Sequence, residues 1–235
     1  MFYKPGVTDH GLPHDPFKAC VIPRPIGWIS TKSPSGVNNL APYSQFNNLT
    51  FDPPYVMFSA NQTVNNTRKD TVRNVEATGH FVWNLATYAL RDAVNKSAQQ
   101  LPYGVDEFAH ANLTPEQASL VKCDMVRESP VKFECEYHST LRLPGNPPMG
   151  TVDVVIGRVV GVHIDDRVLN EEGLLDVHRT EPIARCGYYQ YTVVREVFDM
   201  VIPGMDEDVL YGLEGSVKRN RERFEKGKEA EGGGE

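Results

Sequence analysis

Two adjacent cations, Arg68 and Lys69, lie in a polar stretch where the pattern predicts the start of a helix. That helix is expected to run from about residue 66 to 77 and to end at Gly79. Cations at a helix N-terminus are disfavoured by about 0.3 to 1 kcal/mol each, because the helix dipole is positive there. A bound phosphate would reverse this effect, since it would meet backbone N–H groups, hydroxyls and two cations together. The segment therefore predicts a phosphomonoester site, unless Asp70 simply offsets the cations within an ordinary capped turn.

A second polar segment, NLAPYSQFN at 39–47, carries groups suited to a planar heterocycle. Asn39, Ser44 and Asn47 can donate and accept hydrogen bonds, as a ring with amide and imide groups requires. Backbone between 41 and 44 can approach such a ring closely, because the side chains there are small or held back by proline. A polar loop of Asx turns is the alternative interpretation of the same composition.

The elements that must position these segments are mostly strands. Short apolar runs, several of them β-branched, predict strands over 19–22, 26–31, 55–60, 81–85, 131–143 and 152–164. Further helices are expected over 88–100 and from the capping pattern Thr114-Pro115-Glu116-Gln117. Strands that outnumber helices without β-α-β alternation indicate a mainly β protein, an antiparallel barrel or sandwich with peripheral helices.

Length and composition indicate one domain followed by a charged arm. The chain has 235 residues, of which 40% are hydrophobic and 23% charged. The domain is expected to cover 1–204, and the arm, 205–235, is expected to be partly helical with a disordered end. The proline-rich loop at 143–149 is a further segment that could shape access to the site or extend a subunit interface.

Several classes of function are disfavoured. A formal net charge of −7 opposes a nucleic-acid partner, which rewards clustered Lys and Arg. No apolar run approaches the roughly 20 residues that a membrane helix needs, so no membrane partner and a cytoplasmic location are expected. The four cysteines form no C-x-x-C pair, and Gly11 and Pro13 separate His10 from His14 in a way that disfavours a metal site.

Taken together, the polar segments and the strands around them resemble a known family, the flavin reductase-like, FMN-binding split-barrel proteins. The resemblance rests on RPIGWIST at 24–31, NLAPYSQFN at 39–47, KDTVRN at 69–74, FVWNL at 81–85, GVDEF at 104–108, ESPV at 128–131 and RCGYY at 185–189. It spans roughly residues 18 to 195, and the joint order of the strings is more specific than any one of them. It implies a six-stranded antiparallel Greek-key split barrel that forms a homodimer, with FMN at the subunit interface.

The resemblance also assigns site residues. The flavin ring and ribityl chain would lie against Trp28, Ile29, Ser30, Thr31, Asn39, Leu40, Ala41, Ser44 and Asn47. The phosphate end would be held by Ser59, Asn61, Arg68, Lys69, Asp70 and Thr71. His178 and Arg185 are candidates for groups that approach the reacting ring, although flavin chemistry requires no side-chain acid or base.

The activity implied is an NAD(P)H:flavin oxidoreductase, in which FMN is reduced by NAD(P)H and supplies electrons to a partner enzyme or other acceptor. Two alternatives stay open. One is a flavin-binding electron carrier that takes electrons from another protein and does not react with a nicotinamide. The other is a non-enzymatic flavin-binding dimer that keeps the barrel without redox turnover.

Overall fold

The computed structural model describes residues 1–214 and 216–232. The prediction of a disordered end to the arm concerns its last residues, and 233–235 lie outside the described residues. The strands are β1 (Arg24–Pro25), β2 (Gly27–Lys32), β3 (Asn38–Tyr43), β4 (Phe46–Phe51), β5 (Pro54–Asn61), β6 (His80–Asn84), β7 (Pro115–Gln117), β8 (Asp124–Val126), β9 (Val131–Leu143), β10 (Val152–Ile164), β11 (Ile183–Arg185) and β12 (Tyr191–Val193). The helices are α1 (Phe17–Cys20), α2 (Asp70–Thr78), α3 (Arg91–Lys96), α4 (Glu107–Ala111), α5 (Val177–Thr180), α6 (Glu207–Leu213) and α7 (Val217–Gly232).

The main sheet has the order β3-β2-β6-β9-β10-β5-β4, and each neighbouring pair is antiparallel. One core cluster takes side chains from all of these strands, among them the fully buried Ile29, Phe58, Phe81 and Val155. A sheet whose strands share one core must curl around it, which makes it a barrel. The predicted mainly β barrel is confirmed, and its main sheet has seven strands in the described residues rather than six.

The β9–β10 hairpin contains the two longest strands and forms part of the barrel wall. Its strands have the bounds predicted from the apolar runs, 131–143 and 152–164. The proline-rich loop forms the tip of this hairpin, where the Met149 carbonyl accepts a hydrogen bond of 3.1 Å from the Gln62 N–H. The loop therefore supports the segment that follows β5.

Three predicted elements need correction. The strand at 19–22 is wrong, because α1 ends at Cys20 and Val21 and Ile22 stay exposed. The helix from the Thr114 capping pattern is wrong as well, since β7 pairs with β8, whose Val126 is buried. The helix expected over 88–100 is shorter and is confined to α3. At β7, pairing with the strand that follows decides the conformation over a local helical preference.

The arm carries α6 and α7, as the charge pattern suggests, although the boundary at residue 204 stays a prediction. Arg221 of α7 lies 3.5 Å from the Asp52 carboxylate, next to the β4–β5 turn. None of the described helices combines the length and the apolar character that crossing a membrane would take.

A buried carboxylate, Glu134 on β9, links the hairpin to the β7–β8 connection. Its oxygens accept hydrogen bonds from the N–H groups of residues 119, 120 and 121, at 2.9, 2.6 and 2.9 Å. The His163 ring nitrogen lies 2.6 Å away on β10. Burial is the largest single influence and opposes ionisation, but these hydrogen bonds together lower the pKa of Glu134 below its ordinary value.

Replacing Glu134 by Ala should lower the free energy of unfolding by about 3 kcal/mol, because buried N–H groups and His163 would lose their acceptor. Urea denaturation followed by tryptophan fluorescence measures the change. Glu136→Ala, an exposed position on the same strand, is the matched control and should stay within about 0.5 kcal/mol of the parent. A loss of similar size in both variants would contradict the structural role assigned to Glu134.

Candidate functional site: a polar cleft beside helix α2

A cleft of about 680 Å³ opens between the barrel and the loops that follow β5 and α3. Its floor is formed by residues 41–45, from the end of β3 and the turn into β4. One wall comes from the segment 61–71 and the start of α2, and the opposite wall from residues 97–103. The size falls within the range of small-molecule sites, and polar groups line most of it.

Behind the floor, a network of buried hydrogen bonds joins four elements. The Asn39 side-chain oxygen accepts hydrogen bonds from the Thr71 hydroxyl at 2.7 Å and from the Thr31 hydroxyl at 3.1 Å. Its amide nitrogen donates to Glu107 at 3.0 Å, and the same carboxylate oxygen accepts from the Leu40 N–H at 3.0 Å. The network ties α2 and α4 to strands β2 and β3, so it fixes the cleft floor relative to the helix.

Burial raises the pKa of Glu107, and the negative charge of Asp70 adds to this effect, while hydrogen bonds from Leu40 and Asn39 oppose it. Burial likewise raises the pKa of Asp70, although Arg73 and Lys69 counteract it. Burial therefore disfavours the ionised form of both carboxylates that line the cleft, and Arg73 and Lys69 partly stabilise the ionised form of Asp70.

Helix α2 begins at Asp70, so Arg68 and Lys69 precede its first turn, and the predicted start near residue 66 is wrong. A hydrogen-bonded turn between Thr63 and Thr67 occupies that stretch instead. Lys69 is the N-cap residue, and the end of the helix at Gly79, in left-handed conformation, is as predicted. Asp70 therefore supplies the acidic residue that the first turn favours.

Lys69 and Arg68 differ in their partners. In the part of the chain that the structure describes, Lys69 makes no ion pair, and burial lowers its pKa. Arg68 instead donates two hydrogen bonds of 2.7 Å to Glu76 and one of 3.2 Å to Asp153. Arg142 also contacts both of these carboxylates, so two guanidinium groups and two carboxylates balance each other.

Most predicted binding residues line this cleft, in agreement with the two candidate segments. They are Asn39, Ala41, Ser44, Ser59, Asn61, Arg68, Lys69, Asp70 and Thr71. The other assigned residues lie elsewhere. Trp28, Ile29, Ser30, Thr31 and Leu40 have no exposed surface in this chain, and Asn47 lies exposed on β4, away from the cleft.

The burial of Trp28 has a specific cause, because its indole N–H donates to the Ser97 hydroxyl at 2.9 Å inside a core cluster. The hydroxyls of Ser30 and Thr31 are likewise engaged, with the Asp124 carbonyl and with Asn39. These side chains support the cleft from behind, and none of them faces it.

His178 and Arg185 also lie outside the cleft. His178 is exposed in the short helix α5, where its N–H donates to the Asp176 carboxylate. Arg185 donates to the Tyr188 carbonyl and lies over the Tyr191 ring, 4.7 Å from its centroid. In this chain neither residue contributes a group to the cleft.

Sequence reasoning missed one wall of the cleft. Arg73, Glu107 and the segment 97–103 line it, including Gln99, Gln100 and Tyr103. Arg73 lies in the first turn of α2, four residues after Lys69, and this proximity in sequence was a usable signal. The segment 97–103 carries no comparable motif, because it reaches the cleft only through the packing of α3 and α4.

The resemblance to flavin-binding split barrels predicts a curled antiparallel sheet with a binding cleft. Comparison with known protein families and structures agrees with that prediction. The family model "Flavin reductase like domain" matches residues 19–183. An uncharacterised protein of Aquifex aeolicus is 35% identical over 171 residues, which cover 73% of this chain and 84% of that protein. The chain therefore belongs to the flavin reductase-like family, whose members bind flavin.

Solved structures show the same fold. Nitrilotriacetate monooxygenase component B from Bacillus cereus is 28% identical, with a TM-score of 0.77 over 85% of this chain and 98% of that one. Flavoredoxin of Desulfovibrio vulgaris is 18% identical, with a TM-score of 0.69 over 87% of this chain and 99% of that one, and it supports the fold alone.

The charge cluster around Arg68 predicts a pH dependence of stability. The hydrogen bond from Arg68 outweighs burial and holds the pKa of Glu76 below its ordinary value of 4.5. A lowered folded-state pKa stabilises the fold above that ordinary value, and the stabilisation is lost as the pH falls through the lowered one. In Glu76→Gln, the drop in unfolding free energy between pH 7 and pH 3 should therefore be smaller than in the parent.

Urea denaturation at a series of pH values measures this difference. Glu171→Gln, at an exposed position, is the control and should keep the pH dependence of the parent. If Glu76→Gln follows the parent curve at every pH, the Arg68–Glu76 pair does not stabilise the fold.

Proposed function

We propose that the cleft binds FMN and that the protein is an oxidoreductase in which NAD(P)H reduces the flavin for a downstream acceptor. The observation that carries the proposal is Lys69, a half-buried cation at the start of α2 without an ion-pair partner among the described residues. Burying a cation is costly, the negative charge of Asp70 offsets only part of that cost for Lys69, and a phosphate would add the missing opposite charge.

The surroundings of Lys69 suit a phosphoryl group. Ser59, Asn61 and Thr67 line the same wall and offer neutral hydrogen-bond donors. Arg68 also lines it, and hydrogen bonds to Glu76 and Asp153 use three of its five N–H groups. In this proposal Lys69 supplies the positive charge that attracts the phosphate. The charge of Arg68 is balanced by Glu76 and Asp153, so its remaining N–H groups act only as hydrogen-bond donors.

The floor of the cleft suits the ring. Small or constrained residues, Ala41, Pro42 and Ser44, let a planar group approach the backbone. FMN bound there would supply the redox chemistry, accepting a hydride from NAD(P)H and passing on the electron pair. The chain would position the flavin, offer polar groups to it and limit the access of water. Hydrogen bonds to Glu107 and Thr71 hold Asn39, and so the floor, in place.

The proposal includes a homodimer and an electron-accepting partner. The edge strand β4 exposes Leu49 and Phe51, which gives a second copy of the chain an apolar contact surface. A partner enzyme as acceptor is supported by similarity to the nitrilotriacetate monooxygenase component. The competing function, an electron carrier without nicotinamide activity, shares the fold seen in flavoredoxin and differs only in its electron donor.

Anaerobic mixing of FMN-loaded protein with NADH or NADPH tests the proposed activity. Reduction should bleach the visible flavin band, whereas an electron carrier would keep its colour with both nucleotides. FMN alone at the same concentration is the control for uncatalysed reduction. Colour that persists in the loaded protein with both nucleotides would exclude the reductase function.

Lys69→Ala should weaken FMN binding about tenfold or more, because a charge-assisted hydrogen bond to the phosphate is lost. Riboflavin, which lacks the phosphate, should bind the variant and the parent equally well. Fluorescence titration with both flavins measures the two dissociation constants. Lys96→Ala removes an exposed cation outside the cleft and controls for net charge. Equal losses for FMN and riboflavin would contradict the phosphate assignment.

A further inference from the structure

Tyr103 lies in the connection between α3 and α4, which forms one wall of the cleft. Its side chain lines the cleft, yet the residue is 51% exposed. The guanidinium carbon of Arg73 lies 4.4 Å from the ring centroid, over one face of the ring. Such cation–π contacts are attractive, so the stack holds the aromatic ring at the mouth of the cleft.

Arg73 is itself held in place. It belongs to α2, and its guanidinium lies 3.7 Å from the Asp70 carboxylate. Its side chain stays half exposed, so the guanidinium can also meet a ligand in the cleft. In the described chain, no other aromatic ring or guanidinium packs on Tyr103, and about half of the residue's surface stays accessible to a ligand.

Among the described residues, three cations line the cleft, and one of them, Arg68, is already paired with Glu76 and Asp153. The other two, Lys69 and Arg73, lie close along the chain, since the Arg73 N–H donates to the Lys69 carbonyl at 3.1 Å where α2 begins. If Lys69 binds the flavin phosphate, Arg73 is left for a second anionic group, next to an aromatic platform. The amide of Gln100 in the same wall can bond to the polar edge of a base, whereas the Gln99 side-chain oxygen already lies 2.8 Å from a His110 ring nitrogen.

We propose that this corner of the cleft, Tyr103 with Arg73, binds the adenylate half of the dinucleotide electron donor. The adenine base would stack on the exposed part of the Tyr103 ring, and the diphosphate would meet Arg73. A dinucleotide is favoured because it combines a planar base with a nearby anion, as the site combines a ring with a cation. The inference rests on the proposed function, since it assigns the donor of that same cleft.

Truncated ligands test the assignment. Tyr103→Ala should raise KM for the dinucleotide donor about tenfold, since stacking of one base on an aromatic side chain contributes roughly that factor. The value of kcat should change less than twofold. Reduced nicotinamide mononucleotide lacks the adenylate half, so its KM should be unaffected. Tyr103→Phe keeps the ring and should restore the parent KM.

Tyr88→Ala is a matched control. Tyr88 carries the same kind of stack, with the Arg91 guanidinium carbon 4.3 Å from the ring centroid, but it does not line the cleft. Its loss should leave KM for both donors unchanged. A rise in KM for the mononucleotide equal to that for the dinucleotide would overturn the assignment, because Tyr103 would then act at the nicotinamide or flavin end or on the fold.

Binding of ADP-ribose, measured by calorimetry on the FMN-loaded protein, tests the site without turnover. The parent should bind it, and Tyr103→Ala should bind it about tenfold more weakly. No binding by the parent, or equal binding by both, would overturn the adenylate site. A parent that binds ADP-ribose but leaves the flavin oxidised with both dinucleotides would support this site while excluding the reductase activity.

Discussion

The site depends on one buried amide, that of Asn39. Its oxygen accepts from Thr71 on α2, and its nitrogen donates to Glu107 on α4, so one side chain holds two helices to the edge of the barrel. A buried polar group costs free energy unless it forms a hydrogen bond. The groups of this network form their hydrogen bonds only when α2 and α4 occupy their observed positions against the barrel. The cleft is the space that this arrangement leaves between the helices and the barrel.

Arg68 and Lys69 both line the cleft, but they differ in their ion-pair partners. Arg68 is turned towards Glu76 and Asp153, and Asp153 on β10 is almost completely buried. That pairing fixes the loop after β5 to the barrel but removes most of the positive charge of Arg68. Lys69, its neighbour in sequence, keeps its charge for the cleft. Arg68 therefore stabilises the fold, whereas Lys69 is the cation proposed to bind the phosphate.

Two loops far apart in sequence complete the cleft. The tip of the β9–β10 hairpin supports one wall, and Gly150 there lies so close to Gln62 and Asn66 that a Cβ atom would collide with their side-chain oxygens. The segment 97–103 forms the other wall and brings Tyr103 to Arg73. The strands of the barrel thus supply the floor of the cleft, while these two loops supply its walls and the proposed place for a dinucleotide.

The sequence by itself determined the β class of the barrel, the bounds of β9 and β10, the end of α2 at Gly79 and the two segments that carry most of the cleft. Those features follow from local periodicity, turn residues and polar composition, which a chain expresses without distant partners. Only the tertiary structure decided that Trp28 is buried against Ser97, that residues 115–117 form a strand and that Arg68 pairs with Asp153. The contacts of Trp28 and Arg68 join residues 69 and 85 positions apart, and the strand at 115–117 exists only through its pairing with 124–126. Local pattern carries no information about such contacts, because their energy exists only once the chain has folded.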